Sequence, residues 1–155
     1  MDVDIEVVGK VTDEVVEGFG RLLPQLSKNA PPLDAGALTA IASAQANTVL
    51  IARVGGEIVG TLTLVIFPIP TGVRAWIEDV VVDESMRGKE FGGRRVGEAL
   101  TVEAVRIATQ AGARTVDLTT RPSRVAAGKL YERMGFEQRD SRVYRYSPSP
   151  GHFSS

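Results

Sequence analysis

The sequence predicts an α/β fold with a mixed, mostly antiparallel sheet and helices on both faces. Three observations carry the prediction. Apolar runs of strand length alternate with segments of helical periodicity. Three such runs follow one another between Thr48 and Asp83 through Gly-rich and Pro-rich turns, which is the pattern of a meander. A further run follows a long amphipathic segment, and a right-handed crossover sets it parallel to the strand before that segment.

The elements follow in chain order. Asp4–Lys10 reads as an opening strand. A helix starts at Thr12 or Asp13, both N-cap types, and is broken by the Lys28–Pro32 stretch. Asp34 caps a second helix that places Leu38, Ile41 and Ala42 on one face. Thr48–Val54 and Ile58–Phe67 form a hairpin around Gly55–Glu57, and Pro68 is expected to end the second strand because it cannot donate to a ladder. Val73–Asp83 is the next strand and is expected to be the most buried. A helix over Phe91–Ala111 turns Val96, Leu100, Ala104, Ile107 and Ala108 toward the sheet. Arg114–Thr120 is the parallel strand. A short helix capped by Ser123 stops at Gly135-Phe136, and Ser141–Ser147 alternates as a final strand. One domain over residues 1–147 is expected, with residues 148–155, rich in Ser, Pro and Gly, as a flexible tail.

Composition narrows the chemistry. The 155 residues are 43% hydrophobic and 24% charged with a net charge of −1, so nothing global favours nucleic acid or an anionic membrane. The absence of cysteine excludes disulfides, thiolate nucleophiles and zinc-thiolate sites. The single histidine, His152, lies in the tail, which argues against a Ser-His-Asp triad or a histidine metal centre, and no metal is expected. Acid–base work falls to carboxylates, Tyr, Lys, water or backbone. No apolar run is long enough to span a bilayer and Met1–Lys10 has no signal-peptide pattern, so a cytoplasmic location is expected.

The stretch MRGKEFGGRR, Met86–Arg95, leaves an apolar strand and enters a helix through glycines and basic residues. Backbone N–H groups at a helix N-terminus hold anions, so phosphate binding is one reading of Arg87–Gly93; a tight connection with solvated arginines is the other. A Walker loop is excluded because Arg94-Arg95 follow Gly93 where Lys-Ser or Lys-Thr is needed. The spacing of Gly88, Gly92, Gly93 and Gly97 is not that of a dinucleotide fingerprint.

Two segments in order go further. IEDVVVDESMRGKEFGGRRVGEAL, from Ile77 to Leu100, resembles the acetyl-CoA-binding core of the GNAT superfamily of N-acetyltransferases. AAGKLYERMGF, from Ala126 to Phe136, is similar to that family's short helix ending Tyr-x-x-x-Gly-Phe. One strand separates them, as in the family, and the resemblance spans roughly Val49–Tyr146. Glu90 stands where the family has the first glycine of its pair, and Arg124 where an Asn is frequent. The IEDVVV segment is also locally similar to glucosamine-phosphate N-acetyltransferases.

The resemblance implies a single-domain GNAT-like fold with a parallel central splay, and acetyl-CoA as cosubstrate lying between Val73–Asp83 and Arg114–Thr120. Backbone groups of Val80, Val81 and Val82 would pair with the pantetheine arm, and an N–H near Val80 or Val81 would polarise the thioester carbonyl. Amides of Arg87, Gly88, Lys89, Glu90, Phe91, Gly92 and Gly93 would hold the pyrophosphate, with charge from Arg87 and Lys89; Ser123 is placed on the cofactor side. Tyr131 matches the family tyrosine that assists the departing thiolate. Glu78 and Asp79 are the candidate bases; a structural pair with an arginine is the alternative for one of them. Adjacent on a strand, they face opposite sides unless a bulge intervenes.

The expected function is acetyl transfer to a small-molecule amine. Peptide acetylation and a non-catalytic acyl-CoA-binding module are the alternatives, and homodimerisation is a family tendency. Thr12–Ala46 and Phe67–Gly72 are expected to wall the acceptor. Trp76 lining it and Arg121 and Arg124 reading an acceptor anion stay open beside core packing and solvated surface charge.

Overall fold

Local sequence signals set most element boundaries in the computed structural model, which describes residues 2–87 and 92–148. Internal contacts divide the chain into two units, residues 1–119 and 120–155.

The first unit runs β1 (Asp4–Val7), α1 (Asp13–Leu26), α2 (Ala35–Ser43), β2 (Asn47–Val54), β3 (Glu57–Ile69), β4 (Gly72–Val82), a 3₁₀ turn (Glu84–Met86), α3 (Gly92–Gln110) and β5 (Thr115–Asp117). Both expected caps form: the Thr12 hydroxyl accepts the Val15 N–H at 3.3 Å and the Asp34 carboxylate accepts that of Ala37 at 2.8 Å. Gly55 and Gly56, at φ +58° and +83°, make the two-residue turn between the paired residues Val54 and Glu57. Left-handed backbone at both positions matches the twist of the flanking strands, and glycine adopts it without steric cost.

The strands lie in the order β1-β2-β3-β4-β5, antiparallel except for the last pair. That pair is parallel, as the crossover through α3 requires. On one face α3 buries Val96, Leu100, Ala104 and Ala108 completely, with Ile107 half-buried. A Cβ on Gly60 of β3 would stand 3.0 Å from Val96 Cγ1, so the missing side chain is what lets α3 approach. On the other face Val15, Phe19, Leu22 and Leu38 of α1 and α2 close over Val49, Ile51, Ile58 and Val81.

Pro68 does not end β3, contrary to expectation. It pairs with Val73, and the strand continues to Ile69. Val73 turns its carbonyl away from β3 to accept the Arg114 N–H at 2.8 Å, so Pro68 and Val73 face each other at a non-hydrogen-bonded position. The missing N–H therefore removes no bond to β4.

The second unit holds α4 (Val125–Arg133). Ser123 is not its cap: the helix starts one residue later, after Arg124, whose side chain makes no capping bond. The backbone reaches that start through a turn in which the Arg124 N–H donates to the Arg121 carbonyl at 2.9 Å. The far end stops as expected. Gly135 has φ +98°, the Phe136 N–H donates to the Tyr131 carbonyl at 2.9 Å, and the Gly135 N–H donates to that of Glu132 at 3.0 Å. These are the paired bonds of a Schellman stop.

Ser141–Ser147 is not a strand, a second departure from expectation; Val143 and Tyr144 are 70% and 90% exposed. Alternation prepares a segment for a sheet, but a neighbouring ladder must supply the hydrogen bonds. Among the described residues the parallel β4–β5 pair thus stands at the end of the sheet.

Candidate active site

The central irregularity is in β4. Thr63 pairs with Glu78 and Thr61 with Val81, so β4 spends one residue more than β3 over the same span. This is a β-bulge, and within it Asp79 has φ +52°. Aspartate is among the few non-glycine residues enriched in the left-handed region. The bulge breaks strict alternation: Glu78 lies opposite Thr63, while Asp79 lines a pocket together with Thr61 and Thr63. Both acids thus belong to the α1–α2 face. Glu78 accepts the Trp76 indole N–H at 2.5 Å, so its recorded partner is a tryptophan and not an arginine. Trp76 is half-buried and does not line the pocket.

The pocket is a cavity of about 70 Å³. α1 contributes Phe19 and Leu23, and α2 contributes Leu38 and Ile41. Leu33, Val49, Thr61, Thr63 and Asp79 complete the lining. The early helices line this pocket; residues 67–72 form the end of the β3–β4 hairpin and do not line it.

The opposite edge of β4 is paired over only part of its length. β5 pairs with β4 only from Arg74 to Trp76 and ends at Asp117, whereas β4 continues to Val82. The Asp83 N–H donates back to the Val59 carbonyl at 2.8 Å. By antiparallel alternation Val81 and Asp83 direct their backbone groups to β3, and Val82 between them directs its own to the gap. Among the described residues no strand pairs with β4 there.

Asp83 anchors the turn that follows. Its carboxylate accepts the Ser85 N–H at 3.0 Å and the Arg21 Nε–H at 3.1 Å. Arg21 also donates to the Ile58 carbonyl at 2.6 Å, and the Gln25 side chain accepts the Glu84 N–H at 2.8 Å. Burial alone would raise the Asp83 pKa, but the Ser85 N–H, Arg21 and Gln25 outweigh it and hold the carboxyl below its ordinary range. Sequence reasoning missed Arg21, Gln25 and Asp83, because no local spacing links residues 62 positions apart.

Arg87 follows the turn and is exposed. Gly88, Lys89, Glu90 and Phe91 lie outside the described residues. Gly92 and Gly93 open α3, with Gly92 buried and the Gly93 Cβ position 3.9 Å from the Met86 carbonyl oxygen.

In the second unit Tyr131 packs edge-on against Phe136, ring centroids 5.7 Å apart. Burial pushes its phenol above the ordinary range, and the charge of Arg124 pulls partly the other way. It therefore stays a neutral O–H donor at physiological pH. Ser123, Arg121 and Arg124 are exposed. Among the described residues no cluster of three His, Cys, Asp or Glu could hold a metal, and no helix is long and apolar enough to cross a membrane.

Comparison with known proteins gives a consistent result. The profile of the Acetyltransferase (GNAT) family matches residues 19–136. No curated protein matches the chain. A protein of Agrobacterium tumefaciens strain C58 assigned as an acetyltransferase superimposes with a TM-score of 0.78 at 26% identity, over 93% of this chain and 99% of the other. An acetyltransferase of Trypanosoma brucei is 28% identical with a TM-score of 0.72, over 94% and 99%. Glucosamine-6-phosphate N-acetyltransferase of Arabidopsis thaliana reaches a TM-score of 0.75 over 94% and 99%, a likeness of fold at 20% identity.

Proposed function

The chain belongs to the GNAT acetyltransferase family, a family of acyltransferases, and from that premise we propose that it moves an acetyl group from acetyl-CoA directly to the primary amine of a small-molecule acceptor. One observation carries the reading: the bulged segment of β4 has the Asp79 pocket on its α1–α2 face and, among the described residues, no strand along its outer edge.

The residues present fit the cosubstrate. Bound acetyl-CoA supplies an activated thioester. An open strand edge pairs with an extended, amide-bearing chain as it would with another strand, which is the part given to Val80 and Val82; Val81, expected to share it, has its backbone groups turned to β3. A bulge releases backbone groups from the ladder, and an N–H freed near Val80 is the donor to the thioester carbonyl. Arg87, Gly92 and Gly93, with Gly88, Lys89, Glu90 and Phe91, are assigned to the pyrophosphate, and Ser123 to the cofactor side.

Asp79 is assigned as general base and Glu78 as its neighbour, held by Trp76. An alkylammonium with pKa near ~10.4 loses its proton at pH 7 at a cost of roughly 4–5 kcal/mol. A carboxylate that accepts this proton, directly or through water, removes much of that burden. The free amine attacks the carbonyl carbon; the C–N bond forms and the C–S bond breaks. Asp79 passes the ammonium proton to solvent before attack; the sulfur departs as thiolate, and the N–H proton released as the amide forms converts it to the thiol. The sequence motif gives Tyr131 the part of hydrogen-bond donor to that thiolate, and its elevated pKa suits donation better than ionisation. The small pocket favours a small acceptor over a peptide, which needs an open groove.

The test is thiol release from acetyl-CoA across alkylamines, amino sugars, amino acids and peptides. Release with a small amine is expected, and Tyr131→Phe should lower turnover about tenfold or more with little change in acetyl-CoA affinity. Coenzyme A binding without release for any amine would establish the non-catalytic binding module instead.

A further inference from the structure

We infer that the acceptor is a short, neutral-bodied aliphatic amine, its ammonium at Asp79 and its hydrocarbon in the α1–α2 pocket; this rests on the acetyltransferase reading and deepens it. Three features of the pocket carry the inference.

The first is charge. Asp79 is the one charged residue in the lining, and the other named walls are aliphatic, aromatic or hydroxyl-bearing. A cationic amine gains from that carboxylate. A phosphate or carboxylate on the acceptor meets no cation in the lining and is repelled. The second is polarity. Leu38, Val49 and Thr61 are buried and form the floor, while the exposed Asp79 and the partly exposed Ile41 mark the mouth. The Thr61 hydroxyl already donates to the Leu50 carbonyl at 2.7 Å. A polyhydroxylated ring would bury its hydroxyls against Phe19, Leu23 and Leu38 without partners.

The third is size. The cavity of about 70 Å³ is about half of the ~150 Å³ that holds a benzene ring, so it takes a chain of about three to four carbons. The polar end thus faces the mouth and the hydrocarbon the floor. This arrangement distinguishes the pocket from one built for an amino sugar phosphate, despite the shared fold.

The experiment is a chain-length series from ethylamine to hexylamine, with glucosamine 6-phosphate and glycine as charged comparators, read as kcat/KM for each acceptor. The expected rise is about fourfold per methylene up to butylamine, then a plateau or fall. Leu33→Ala should move the optimum to a longer chain. Ile41→Trp, which fills the mouth, should cost butylamine tenfold or more and leave the KM for acetyl-CoA unchanged. A flat series, or a charged comparator exceeding butylamine, would overturn the assignment while leaving acetyl transfer intact. Acetyl-CoA binding is followed in parallel by calorimetry. No binding, or binding without turnover of any amine, would overturn the underlying acetyltransferase reading and this inference with it.

Discussion

Asp79 occupies a backbone conformation that costs most side chains about 1–2 kcal/mol, and among non-glycine residues Asp and Asn tolerate it best. Asp79→Asn is therefore the clean substitution, since it removes the charge and keeps the backbone. It should lower kcat/KM at pH 7 about 100-fold. The loss should shrink as pH rises toward the amine pKa of ~10.4, where free amine no longer needs a base. Rate profiles of both proteins from pH 7 to 10 check this; a constant ratio would remove Asp79 from proton transfer. The sequence offered both Glu78 and Asp79 as bases, with Glu78 first. What separates them is the extra residue that β4 spends against Thr61–Thr63, a relation between two strands and not a property of either.

At the scale of the element, α1 serves two neighbours at once. Phe19 and Leu23, one turn apart, wall the pocket; Arg21 and Gln25, also one turn apart and on another face, hold the turn after β4. Because the folded-state pKa of Asp83 is depressed, its contribution is fully present above the ordinary carboxylate pKa of ~3.9 and is lost as pH falls through the lower folded value. Asp83→Asn should cost about 1–3 kcal/mol at pH 7. Urea unfolding of both proteins should show the difference narrowing as pH drops below ~3.9.

Packing of α3 on the sheet offers a second check. Gly60→Ala would set a methyl 3.0 Å from Val96 Cγ1, 3.2 Å from Leu100 Cδ1 and 3.3 Å from the Val81 carbonyl oxygen. A loss of about 1–3 kcal/mol in unfolding free energy is expected. Caps, the Gly55-Gly56 turn and the buried stripe of α3 were legible because each is fixed within a few residues. Pro68, Ser123 and Ser141–Ser147 were misread because strand partners and helix starts depend on what lies opposite or one residue on.

For the whole molecule, the family match runs from residue 19 to 136 and so draws on both units of the chain. The order of the two motifs was legible because each is set by spacing along the chain. The Asp79 pocket was not, because α1, α2, β2, β3 and β4 each contribute to it. If acetyl-CoA binds the folded chain alone, a concentration of about 100 times Kd should add ~2.7 kcal/mol to global stability. For a chain of this length that is a rise in Tm of roughly 5–10 °C. Differential scanning calorimetry with and without acetyl-CoA reads it directly, and an unchanged Tm would contradict the binding assigned to β4.

The proline at position 68 has one more consequence. The last registered pair between β2 and β3 is Asn47 with Val65, and Ile66 still bonds to Ala46, so the remaining stretch to Ile69 has lost its β2 neighbour. The backbone of Ile66 points its N–H to that side, and Pro68, two residues on, points the same way with no N–H to offer. An extended chain from another molecule that tried to continue the sheet there would find a ladder with a missing rung. Pro68 thus helps keep the exposed tip of the hairpin from seeding aggregates.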